Sequence, residues 1–206
     1  MSMLQRHQHY SFTELYQALV LGFRSINAFR RQALAPRAER LLDPQFVERL
    51  MLAVTEVNGC AVCSYAHTRM ALREGIPAEE VQAFISGDPR FIREDEAIAI
   101  AFAQHYAETK GKVDRLAYER LVETYGPAKS KVIVAAIQIM MIANIVGLPI
   151  SALWARLNGH REPGSSLLYE LGLPFSANVL WIPSLFHALF NHLSRKEHLT
   201  FISNQT

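Results

Sequence analysis

The sequence predicts an all-α protein, and three observations predict it. Apolar residues recur at steps of three and four through most of the chain, the spacing that gathers them on one face of a helix. Asp-Pro, Asn-Gly and Gly-Asp-Pro clusters fall where those periodic segments begin or end. No stretch sustains the alternation of apolar and polar residues that a half-buried strand needs.

Taken in order, residues 12–33 place Leu15, Ala18, Leu19, Phe23, Ile26 and Phe29 at helical spacing. Asp43-Pro44 supplies an N-cap and a proline at the first helical position. The helix it opens runs through Phe46, Leu50 and Val54 and stops at Asn58-Gly59. Residues 60–74 read as the next helix, closed by Gly75. A short helix starts at Pro77 and ends at Gly87-Asp88-Pro89. Residues 93–109 and 114–125 are amphipathic, and Pro127 opens a long apolar segment over 132–150. About 20 apolar residues would cross a bilayer. Gln138, Asn144 and an expected break at Gly147–Pro149 make this segment a buried central helix or a subunit contact instead. A second apolar run, 173–190, holds two prolines, Asn178 and His187 and reads as a packed extension or an oligomer contact. Residues 159–166 form the clearest linker, which divides the chain into a helical domain, 1–158, and a C-terminal extension, 159–206.

Composition narrows the function. The chain has 206 residues, enough for one sizeable core. A net charge of +2 and isolated basic pairs, Arg30-Arg31 and Arg195-Lys196, point to no nucleic-acid partner. The first ten residues are polar and His-rich, unlike a signal peptide, so a cytoplasmic protein is expected. There are two cysteines, three residues apart, which is no framework for a secreted disulfide-rich domain. In a reducing compartment such a pair is redox-active or metal-binding.

The chemistry concentrates at Cys60-Ala61-Val62-Cys63 and His67. On a helix beginning near Cys60, Cys63 lies at i+3 and His67 four residues further, so all three share a face. The helix dipole and a neighbouring imidazole both favour the reactive thiolate, and the second cysteine can capture an oxidised first one as a disulfide. The dipole favours Cys60 by about 0.3–1 kcal/mol. A positioned base favours Cys63, one turn before His67, by about 100-fold or near 3 kcal/mol. Cys63 is therefore expected to attack and Cys60 to resolve. Other readings of the residues stay open: a buried pair that merely packs, a zinc site using both cysteines, His67 and a carboxylate, or a non-enzymatic redox switch. Glu56, one turn before Cys60, is a rival acid to Glu48, but Asn58-Gly59 breaks the helix between it and the cysteines. His105 reads as a core-edge residue and Met140-Met141 as core. His7, His9, His187, His192 and His198 make no metal-ligand pattern.

Glu48, Ala53-Val54, Asn58-Gly59-Cys60, Cys63, His67 and Leu72-Arg73-Glu74-Gly75 resemble the core of the AhpD-like alkylhydroperoxidases. These belong to the carboxymuconolactone decarboxylase superfamily, whose members of this kind carry an acid twelve residues before the first cysteine of an NGCxxCxxxH motif. The resemblance implies an AhpD-like helical bundle assembled as a trimer or hexamer. It also implies a peroxidatic Cys63, a partner Cys60 and a proton relay through His67 to Glu48. The implied partners are a small-molecule hydroperoxide and a dithiol or protein thiol reductant, with no organic cofactor and no bound metal. Val62 stands where the namesake has a second histidine between the cysteines, so a thinner relay is expected. True lactone decarboxylases of the superfamily lack the cysteine pair, which argues against that reaction.

Overall fold

The computed structural model describes residues 8–194 and 196–202; His7 and Arg195 lie outside them. Helix α1, Phe12–Leu34, starts at a reciprocal cap. The Ser11 hydroxyl accepts from the Glu14 N–H, and the Glu14 carboxylate accepts from the Ser11 N–H at 2.6 Å. Helix α2, Pro44–Asn58, has the Asp43 side chain as its N-cap and Pro44 in its first turn. It stops at Gly59, whose φ of 72° is a left-handed conformation that a glycine adopts without steric cost. Helices α3, Ala61–Arg73, α4, Ala78–Ser86, and α5, Ala97–Glu108, follow. The amphipathic segment expected from residue 93 becomes helical only at Ala97, because residues 94–96 form a turn.

Helix α6, Arg115–Leu157, is the axis of the molecule and touches α1, α2, α3, α5 and α7. It is kinked at Gly126, whose φ of 74° and ψ of 163° open the backbone just before Pro127. The break expected at Gly147–Pro149 does not occur, and the helix continues to Leu157. A proline inside a helix costs about 3 kcal/mol. Burial of Ile145, Leu148 and Ala152 around it outweighs that cost. Residues 158–166 lead to α7, Leu167–Leu193, which lies against α1 and α6 and buries Leu173 and Ala188. Both α6 and α7 are long and apolar enough to cross a membrane by length and composition. The apolar window of α6 is 72% buried within the protein and that of α7 only 17%.

Two short strands complete the described residues. Strand β1, Lys112–Val113, pairs in parallel with β2, Thr200–Phe201. The sequence pattern held no sign of them, since two residues are too few for a period. The segment before β2 is tied to the body through the Arg24 guanidinium, which donates to the carbonyls of Lys196 and Glu197, and through Gln138 Nε2, which donates to the His198 carbonyl at 3.0 Å.

Candidate functional site

The Asn58-Gly59-Cys60 turn is built by one buried side chain. Asn58 accepts a 2.5 Å hydrogen bond from the Tyr10 hydroxyl and directs its amide at the Met141 sulfur. Burial pushes the Tyr10 phenol far above its ordinary pKa, so it remains a donor. With Asn58 anchored and Gly59 in the left-handed region, the chain reverses and Cys60 becomes the N-cap of α3. Its sulfur accepts from the Cys63 N–H at 3.3 Å. Cys60 thus sits just ahead of the first helical turn, and Cys63 within it.

Cys60 and Cys63 are joined as a disulfide with their Cα atoms 5.3 Å apart. Both sulfurs are largely enclosed. The wall opposite them is α6. A Cβ added at Gly147 would stand 2.6 Å from the Cys63 sulfur and 2.7 Å from that of Cys60, so only glycine fits there without displacing the disulfide. The Ala143 carbonyl lies 3.5 Å from the Cys63 sulfur and can accept from its thiol when the pair is reduced. Ser151 joins the two helices: its hydroxyl accepts from the Val62 N–H at 3.1 Å and donates to the Gly147 carbonyl at 2.9 Å. Asn144, fully buried on the same helix, donates to the Thr55 hydroxyl at 3.3 Å and leaves its side-chain carbonyl without a partner.

One turn beyond Cys63, His67 Nδ1 is 2.9 Å from Glu48 Oε2, and both side chains are mostly shielded from solvent. With a carboxylate as acceptor, Nδ1 carries the proton and Nε2 is the basic nitrogen of the neutral ring. Glu56, the rival acid, turns elsewhere. Its Oε1 would lie 3.0 Å from a Cβ at Gly87, at the end of α4. Burial, with the Glu108 carboxylate nearby, holds its carboxyl above the usual carboxylate range.

The structure therefore brings the four together as two bonded pairs, Cys60 with Cys63 at the start of α3, and His67 of α3 with Glu48 of α2. His105 takes a structural part: its Nε2 accepts from the Asp114 N–H at 3.1 Å. Among the described residues, no group of three or more His, Cys, Asp or Glu side chains is arranged to hold a metal. Three residues of this site escaped sequence reasoning: Gly147, Ser151 and the neighbour of Glu48, Arg49. Arg49 is fully buried, donates two 2.5 Å hydrogen bonds to Glu96 and one of 3.2 Å to Glu80, and so ties α2 to α4 and to the start of α5. Its position was readable as a charge set into the apolar stripe of Leu42, Phe46 and Ala53. Gly147 and Ser151 carried no such signal, because what they touch is 80 to 90 residues away in sequence.

Comparison with known families finds one match. The model of the carboxymuconolactone decarboxylase family covers residues 22–91. That span runs from within α1 to the turn after α4 and holds Glu48, Cys60, Cys63 and His67, while α6 and α7 lie beyond it. No curated protein and no solved structure matches the chain.

Proposed function

We propose, from the match of the carboxymuconolactone decarboxylase family model over residues 22–91, that the chain is an AhpD-like thiol-dependent oxidoreductase of that superfamily. It reduces a peroxide or a disulfide through a Cys60–Cys63 dithiol/disulfide cycle assisted by His67 and Glu48. The observation that carries this reading is the 2.9 Å His67–Glu48 pair one helical turn from a cysteine pair already at bonding distance.

In the reduced protein, His67 Nε2 takes the Cys63 proton, and Glu48 stabilises the imidazolium through Nδ1. The Cys63 thiolate attacks the terminal oxygen of a hydroperoxide. The S–O bond forms as the O–O bond breaks, leaving a sulfenic acid, and the departing alkoxide takes the proton from His67 to become an alcohol. The Cys60 sulfur then attacks the Cys63 sulfur. The disulfide forms, and hydroxide leaves as water with the Cys60 proton. Two electrons have passed from the dithiol to the peroxide, and an external dithiol returns them by exchange at Cys60. No further group is needed for this balance.

The same cycle fits a cytoplasmic protein that works as a homo-oligomer. A second reading, a non-enzymatic redox switch, draws support from the enclosure of both sulfurs against Gly147, which couples their oxidation state to the packing of α6. Turnover separates the two. The decisive experiment measures peroxide consumption with several dithiol donors, for the wild type and for Cys63→Ser. Catalytic consumption lost in the variant supports the enzyme. A single stoichiometric oxidation with every donor supports the switch.

A further inference from the structure

An extended apolar surface on α7, outside the family match, has no part in the site described above. Between positions 168 and 193, eight large apolar side chains follow one another at steps of three and four residues, and each is 54–80% exposed. This is the spacing of a seam that meets another helix. At roughly 150–200 Å² per large side chain, the stripe offers roughly 1,000 Å² of apolar surface. The largest patch on a monomer is about 300–600 Å², and a stable interface takes about 800 Å² from each partner.

We infer that α7 pairs antiparallel with α7 of a second copy of this chain, about a two-fold axis between positions 180 and 181. The order of side chains along the stripe carries the inference. In that register Leu168 faces Leu193 of the second copy, Leu171 faces the exposed Phe190, Phe175 faces Phe186 and Val179 faces Ile182. Leucine meets leucine at the ends, then leucine meets phenylalanine, phenylalanine meets phenylalanine further in, and the β-branched residues meet at the centre. A face that matches itself when reversed is what an isologous contact requires. The pattern extends along about 37 Å of helix at 1.5 Å per residue.

Charge places lipid behind a second copy as the occupant. Positions 171–194 contain no Asp, Glu, Lys or Arg, whereas a helix lying in a membrane surface carries Lys and Arg on its polar side. The other side of α7 is already used: Leu173, Ser184, Ala188 and Asn191 are buried on it. Glu170 at its start is buried on Arg156 at 2.6 Å. To span a bilayer, α7 would have to leave α1 and α6, give up the Glu170–Arg156 pair and carry Asn178 and His187 into hydrocarbon.

Light scattering of the full chain at micromolar concentration, with and without Ile182→Glu, tests the pairing. Ile182 is well exposed, so the substitution leaves the subunit folded, with far-UV circular dichroism as the check. A wild-type mass of two subunits, or of an even-numbered assembly such as a hexamer, should fall at least twofold in the variant. Oxidation of Val179→Cys/Ile182→Cys should give a covalent dimer on a non-reducing gel, while Leu168→Cys alone should give none, its mate lying at the far end of the pair. Four results would each overturn the proposal: a wild-type monomer, a trimer, a mass unmoved by Ile182→Glu, or cross-linking through Leu168→Cys. Flotation of the wild type with phosphatidylcholine–phosphatidylserine vesicles would do the same, by assigning the stripe to lipid.

Discussion

Glu48 and Arg49 are neighbours on α2, both buried, both in charge-assisted pairs, and they serve opposite ends. A helix turns about 100° per residue, so one side chain faces α3 and the other faces α4 and α5. Glu48 meets His67, an imidazole that can take up a proton and give it back. Arg49 meets two carboxylates with a guanidinium that stays charged at any working pH. The first pair can take part in chemistry because its charge state is adjustable. The second cannot, and it holds three helix segments in place for the same reason.

Breaking the Arg49 cluster should have the largest effect. Arg49→Met leaves Glu80 and Glu96 buried without their cation, and loss of one partner from a buried pair costs about 3–5 kcal/mol. Chemical denaturation followed by circular dichroism should show that loss. The Cys63 alkylation rate, taken under conditions where the variant is folded, should stay within a few-fold of wild type. A rate that collapses along with stability would erase the division between the two pairs.

Glu48→Gln is the counterpart. It keeps size and one hydrogen bond but removes the charge that stabilises a protonated His67, so alkylation of reduced Cys63 near pH 7 should slow by about 100-fold. The denaturation midpoint should move little. Wild-type rates would make Glu48 a structural neighbour of His67, comparable to Arg49 after all.

Gly147→Ala sharpens the comparison from the opposite wall. The added methyl meets both sulfurs at under 3 Å, and overpacking of this kind costs about 1–3 kcal/mol. Thermal melts of the oxidised variant should show it. Equal stability of the variant and wild type would mean that α6 yields and that the site is less rigid than its packing suggests.

The smallest effect belongs to Glu56, the acid left outside both clusters. Burial and Glu108 raise its folded pKa above the unfolded value. The stability tied to its neutral form is therefore fully present below the unfolded pKa, about 4.3, and is lost as pH rises through the folded one. Glu56→Gln should be neutral at pH 4 and stabilising at pH 7. The gain should be a fraction of a kcal/mol, because solvent screens a half-buried group. A gain that is the same at both pH values would mean that the carboxylate's charge is not its source.

Much was legible before any coordinates. Helical periodicity, Asp43-Pro44 and Asn58-Gly59 delimit α1 and α2 almost to the residue, because caps and left-handed glycines are local devices. Spacing along one helix also set Cys60, Cys63 and His67 on a common face, and only the family motif joined Glu48 to them. The continuation of α6 past Pro149 was not legible, since it rests on burial by distant side chains.

What the sequence determined by itself is whatever depends on neighbours within a turn or two: the helices, their ends, and the order of thiol, thiol and imidazole along α3. Tertiary structure alone decided that position 147 must be glycine and that Arg49 is a clamp. It alone decided that the apolar stripe of α7 faces outward. Each of these is a contact between segments far apart in the chain, and the energy that selects it comes from burial and close packing that no local window contains.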